Sequence, residues 1–248
     1  MKIIISPTKK MTIETDSFLA ESEPQFLVET QCILDKLQVL SYEAAKQLWK
    51  CNDSIATENF ERLKTMRLDK QLSPAVMSYK GLQFQYMAPD LFTEPALEYI
   101  KKHLCIVSGF YGLLRSFDGI SPYRLEMQAN LSVDGSKNLY DYWGDKLYQA
   151  LEFDKGPVIN LASKEYTKAI APFLQTGDQL IEIVFATRGV DGKLKIKATP
   201  AKIARGQMVR YMAEHNIQDL ESLKLFDHPH FQFSTEYSND QQFVYLQV

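Results

Sequence analysis

The sequence predicts an α/β domain of mixed α+β character: one large unit over residues 1–248, with a mixed sheet, flanking helices and a small helical hairpin at about residues 41–66. Three observations carry this expectation. Short apolar runs with the length of buried strands recur at residues 2–5, 104–107 and 157–161, and each leaves into a polar or glycine-bearing turn. Segments with apolar residues at helical spacing lie between them. At 248 residues, 45% of them hydrophobic, the chain is long enough to fill one large core and has no stretch polar enough to stay unfolded.

Taken in order, the strand at residues 2–5 is followed by Ser6, Pro7, Thr8, Lys9 and Lys10, which read either as the edge of a site or as a solvated turn. Residues 24–40 carry Phe26, Leu27, Ile33, Leu34, Leu37 and Leu40 at helical spacing. Ser41 is placed to cap a second helix and Asn52 or Asp53 a third, which together make the hairpin. Residues 74–87 alternate as a strand pair turning at Lys80 and Gly81. Residues 89–103 read as a helix whose last turn holds Lys101 and Lys102, where cations suit the dipole.

The strand at residues 104–107 opens into SGFYGLLRSFDGISPYRLEM, residues 108–127, the densest mixture of glycine, aromatic and cationic residues in the chain. Arg115 and Arg124 there offer planar forks of donors that suit phosphate or carboxylate; structural ion pairs, Arg115 with Asp118 and Arg124 with Glu126 or another acid, fit as well. Residues 125–133 read as extended. Residues 139–153 read as a helix with Gly144 inside it, which close packing or a ligand would explain. Residues 179–198 read as a hairpin turning at Val190, Asp191 and Gly192, with Lys193, Lys195 and Lys197 on one strand face. Thr199 caps and Pro200 starts the next helix, which presents Lys202 and Arg205 as neighbours three apart, and residues 231–248 close the fold as a hairpin.

Composition excludes several classes. The three consecutive isoleucines after Lys2 fall far short of a secretory signal, and no run approaches a membrane span, so a cytoplasmic location is expected. Cys32, Cys51 and Cys105 are odd in number and widely spaced, which predicts reduced thiols, no disulfide and no metal site. The net charge of −3 argues against coating nucleic acid by overall charge. Residues 188–210, however, carry seven cations against one acid, a basic segment on an acidic body.

The stretch at 108–127, with LYDYWG at 139–144, INLASKEYTK at 159–168, ARGQMVRYM at 204–212 and the opening IISPTKKM, resembles the YaaA family of bacterial peroxide stress proteins over essentially the whole chain. The resemblance implies a cytoplasmic protein of hydrogen peroxide resistance and iron homeostasis, limiting free intracellular iron. It also implies a mixed α/β fold with a helix-hairpin-helix-like element and a basic cleft that binds duplex DNA, with neither a catalytic reaction nor a cofactor. Carried over by position, its motif residues are Lys9, Lys80, Tyr111, Arg115, Tyr123, Arg124, Trp143, Lys168, Arg205 and Arg210; Lys202 joins them as the helical neighbour of Arg205. Two departures stand out. Ser116 replaces the proline usual after the LLR triplet, and Asn52, Asp53, Ser54 and Ile55 stand where relatives tend to carry Ser, Asp, Lys and Leu, which removes a cation from the hairpin.

Clustered cations bind DNA chiefly through phosphates, so the expected partner is a duplex read by shape, bent, nicked or mismatched, with Tyr111, Tyr123 and Trp143 either stacking on exposed bases or filling the core. The alternative is an enzyme acting on a nucleotide or other phosphorylated small molecule in the same cleft, with Glu126, Asp118 or Glu165 as general acid or base. No P-loop, Rossmann fingerprint, paired-histidine motif or nucleophile elbow supports it. A third reading takes Asp227, His228 and His230 as an iron site.

Overall fold

The protein is described by a computed structural model covering residues 1–13, 17–70, 72–190 and 192–248. Among these residues, five parallel strands form the centre of an eight-stranded mixed sheet. They are β1 (Lys2–Ile5), β5 (Leu104–Ser108), β8 (Val158–Leu161), β9 (Leu180–Arg188) and β12 (Gln242–Gln247). β1 is central, pairing in parallel with β5 on one side, Ile4 opposite Cys105, and with β8 on the other, Ile3 opposite Ile159. The sheet continues from β8 to β9 and β12. Residues 3–5 are isoleucines with no exposed surface, as a strand covered on both faces requires.

Antiparallel strands finish the edges. β6 (Gly112–Arg115) folds back on β5, β11 (Phe231–Phe233) on β12, and β10 (Leu194–Lys195) on β9. Two short ladders lie outside the sheet: β2 (Lys10–Met11) with β4 (Tyr79–Lys80), and β3 (Ser73–Pro74) with β7 (Gly119–Ile120). The chain leaves β1 toward β5 on one side, while β8 lies on the other, so the connections diverge at the carboxyl ends of β1 and β8. In open parallel sheets that divergence opens a crevice where ligands bind.

The predicted helices at 24–40 and in the hairpin form as α1 (Leu27–Gln38), α2 (Tyr42–Trp49) and α3 (Asp53–Thr65). Ser41 Oγ accepts from the Ala44 N–H at 3.2 Å and Asn52 Oδ1 from the Ile55 N–H at 3.0 Å, the caps expected of those residues. The hairpin is not a free module. Ala45, Trp49 and Leu63 join the main core, and Gln38 Nε2 of α1 donates to the Leu63 and Met66 carbonyls.

Several expectations are corrected. Residues 74–87 are not a strand pair; they form a single turn α4 (Ala75–Ser78), then β4, then α5 (Leu82–Met87). Ala75, Val76, Met77 and Ser78 are buried on every side, so their apolar pattern carries no period to read. Residues 89–103 are a 3₁₀ turn at Pro89–Leu91 followed by α6 (Glu94–His103), because Pro95 is tolerated only in the first turn of the new helix. Residues 125–133 form no strand; this loop instead lies backbone to backbone against Gly109, where a Cβ would come within 2.8 Å of the Met127 nitrogen.

The helix at 139–153 is two, α7 (Leu139–Trp143) and α8 (Lys146–Leu151), broken at Gly144 with φ of +50°. The nearest atom to a Cβ there is 3.8 Å away, so this glycine serves the turn and not packing. Of the hairpin at 179–198, β9 and β10 pair as expected, while Asp191 of its turn lies outside the described residues. β10 ends at Lys195 and Lys197 is the N-cap of α10 (Ala198–Glu214), so the three lysines do not share a strand face, and Thr199 and Pro200 sit inside the first turn. α11 (Leu220–Lys224), capped by Asp219, leads into the closing β11–β12 hairpin. Among the described residues no helix is long and apolar enough to cross a membrane.

Candidate anion-binding cleft

A cleft of about 440 Å³ opens at the divergence point beyond β1 and β8. Its walls come from five places. The exit of β1 supplies Ser6, Thr8, Lys9 and Lys10; the exit of β8, with α9 (Lys164–Thr167), supplies Ser163, Glu165 and Tyr166. Lys80, Gly81 and Gln83 enter from β4 and α5, Lys202 and Arg205 from α10, and Tyr123, Arg124 and Glu126 from the loop after β7. The two strand exits are tied together: the Ser163 N–H donates to Ser6 Oγ at 2.8 Å.

Charge in this cleft is arranged against stability. Lys10 and Lys80 face each other directly in the β2–β4 ladder, both exposed, and like charges so placed repel. Lys9 pairs with Glu126 at 2.7 Å. Among the described residues, Lys10, Lys80, Arg124, Lys202 and Arg205 make no ion pair. Burial pulls the Arg205 guanidinium below its ordinary value, an effect that the charge of Glu182 only partly opposes, and its Nε is buried with no partner among the described residues. Gln83 Nε2 is in the same condition. Burial, and then the charge of Glu126, push the Glu165 carboxyl above the usual carboxylate range; the Gln128 N–H, which donates to it at 3.2 Å, and Lys9 act in the opposite direction.

The structure thus brings Lys9, Lys80, Tyr123, Arg124, Lys202 and Arg205 of the sequence-derived residues to one cleft, and places the other five elsewhere. Tyr111 and Trp143 are core side chains, 1% and 0% exposed, with the Trp143 Nε1–H donating to the Gly109 carbonyl at 3.0 Å and the Tyr111 hydroxyl accepting the Ser121 N–H. Neither has a face to offer a base. Tyr123 reaches the cleft at an edge only: its ring stacks on Phe110, and its hydroxyl, bonded to Tyr79 and Ser108, is pushed up to about 12 by burial. Lys168 lies over the Tyr140 ring outside the cleft, and Arg210 pairs with Glu214 at 2.9 Å.

Arg115 stands opposite Cys105, at the amino end of β5 and so at the far edge of the sheet. Its side chain donates to the fully buried Asp118 and to the Glu23 carbonyl, and Ser22 completes the carboxylate's shell. Asp118 is therefore a structural acid and cannot reach the cleft. Arg115→Ala is expected to cost ~1–3 kcal/mol in urea unfolding, because it strips a donor from a buried carboxylate. A strand's length of ~13 Å separates Arg115 from the cleft, more than a Debye length, so anion affinity should stay within about twofold.

His228 is 6% exposed; its Nδ1 accepts the His230 N–H and its Nε2 faces Gln207 Oε1 at 2.7 Å. Among the described residues no group of three His, Cys, Asp or Glu side chains could hold a metal. Gln83 escaped the sequence reading, since a glutamine inside an apolar run mistaken for a strand carries no signal of its own.

The fold and the cleft define a class: an α/β protein with a cation-lined cleft at the carboxyl edge of its parallel strands. A family model described as peroxide stress protein YaaA matches residues 1–237. Curated relatives named UPF0246 protein match from end to end. The one from Lactiplantibacillus plantarum is 54% identical over 99% of each chain, and the one from Pediococcus pentosaceus 52% identical over 99% of this chain and 98% of that protein. The chain belongs to the peroxide stress protein YaaA family.

Proposed function

We propose that the chain acts in the peroxide stress response by binding duplex DNA at the cationic mouth of this cleft, with preference for bent, nicked or mismatched duplexes. The observation that carries this reading is the Lys10–Lys80 pair, two exposed like charges held opposite each other and in register. A phosphate between them would turn repulsion into attraction. Arg124 and Lys202 extend the same rim. Phosphates neutralised by these groups release their counterions. Ferrous ion held on a duplex is one such counterion, which connects DNA binding with the limitation of iron near its most vulnerable target.

The test is fluorescence anisotropy against intact, nicked and bent duplexes across a salt series. About four phosphate contacts give a log–log slope of roughly −3.5. Flat, weak binding to all three duplexes would overturn the reading.

A second reading, a phosphorylated small molecule as ligand or substrate, is favoured by the cleft's volume and by the raised Glu165 carboxyl next to Glu126. A thermal-shift screen of nucleotides and sugar phosphates tests it, and the absence of any shift would count against it.

Both readings share one expected result. Because Glu165 is raised in the fold, the stability tied to its protonated form is complete below the ordinary glutamate value and is lost as pH rises through the folded value. Glu165→Gln is therefore expected to melt higher at neutral pH, by ~1–2 °C after solvent screening, with the difference vanishing near pH 4. Loss of one negative charge should also tighten anion binding about threefold.

A further inference from the structure

We infer that the floor of the cleft is a subsite for a terminal phosphate monoester, built by Gln83 from α5 and Arg205 from α10. It rests on the reading of the cleft as an anion site and names what that site takes. Gln83 is 6% exposed, and its Nε2 and the Arg205 Nε are both buried with no hydrogen-bond partner among the described residues. An unmet buried donor is destabilising, and more so where it is charged. Two of them in one cleft wall call for an acceptor the protein itself does not supply.

The two donors are held together by backbone. The carbonyl oxygen of Gln83 lies 2.1 Å from the place a Cβ on Gly206 would occupy, so α5 and α10 touch main chain to main chain at the residue next to Arg205. Lys202, one turn before Arg205 on α10, stands exposed at the rim of the same wall. The order from rim to floor is then an exposed ammonium, a guanidinium with a buried donor and a neutral amide donor.

Charge and shape select the ligand. A phosphate monoester carries about −1.5 to −2 near neutral pH, which matches Arg205 with Lys202, whereas a backbone diester carries a single charge. A diester is also flanked by sugars on both sides. The recessed donors admit only a phosphate that projects from the end of a molecule, and a cleft of about 440 Å³ has room for the nucleotide that carries it. Two sources present that group: a free mononucleotide, and the 5′ end of a strand at a nick.

The test measures anisotropy of the full-length protein on nicked duplexes bearing a 5′-phosphate or a 5′-hydroxyl, beside an intact duplex. Adenosine 5′-monophosphate, adenosine and inorganic phosphate serve as competitors. The 5′-phosphate nick is expected to bind about tenfold more tightly than the hydroxyl nick, and the monophosphate to compete where adenosine does not. Gln83→Leu and Arg205→Met should each reduce that preference to within about twofold. Gln83→Glu, which keeps the side chain's shape and polarity, should abolish it by repulsion and guards against misfolding of the leucine variant.

Equal binding of both nicks, with no competition by the monophosphate and with salt-dependent duplex binding intact, overturns the subsite and leaves the DNA reading standing. A thermal melt raised by adenosine 5′-monophosphate and not by adenosine, in a protein that ignores every duplex, supports the subsite, assigns it to free nucleotides and removes the DNA reading. A preference that survives unchanged in all three variants overturns the assignment to Gln83 and Arg205.

Discussion

Gly206→Ala is expected to lower the melting temperature by ~5–10 °C, equivalent to a loss of ~2–3 kcal/mol for a chain of this length. On helix propensity alone the same change is favourable by ~1 kcal/mol, because glycine is a poor residue for a helix interior such as α10. The sign is decided by contact. The added methyl would stand 2.1 Å from the Gln83 carbonyl oxygen and 3.0 Å from the Met87 nitrogen, both backbone atoms that no rotamer change can move aside. α5 and α10 must separate or tilt, which opens the wall that carries Gln83 and Arg205. Urea unfolding and calorimetry read the loss. An unchanged or raised melting temperature would show that the two helices do not meet main chain to main chain.

Arg205→Met is expected to do two things of opposite sign. Affinity for the phosphate-bearing ligand should fall by about tenfold or more, because a charge-assisted donor at the cleft floor is lost. The unliganded protein should melt higher, by a few degrees, because a buried donor with no partner and an ill-solvated charge are replaced by an apolar chain of similar length. A structural arginine behaves otherwise, losing stability with no change in binding, as expected for Arg115. Binding titrations and a thermal melt on the same preparation separate the two cases. A melting temperature that drops while affinity holds would return Arg205 to the structural residues.

Much of the cleft was legible in the sequence because its cations sit where strands end. Lys9, Lys80 and Arg124 lie beside turns marked by proline or glycine, and those turns do form the strand exits that line the cleft. The aromatic residues were less readable. Tyr111 shares a motif with Arg115 and Arg124, and Trp143 stands in LYDYWG, yet both are core, and Trp143 packs into the space that Gly112 leaves, its ring 2.8 Å from a hypothetical Cβ there. A glycine beside an aromatic marks close packing and ligand approach equally well. Arg115 shows the same ambiguity in charge: spacing alone allowed the pair with Asp118, and burial of that carboxylate made it the actual one.

Elements with a strong local code are legible in the chain alone. The runs that became β1, β5 and β8, the capped helices α2 and α3, and the closing hairpin all follow from periodicity, caps and turns, because those signals act over a few neighbouring residues. Packing of distant segments settles which strands flank β1, that α5 presses on Gly206, and that Gln83 and Arg205 line one cleft. The physical reason is that a buried polar group is made functional by what fails to pair with it, and that is set by packing between segments more than a hundred residues apart in the chain, here residues 83 and 205.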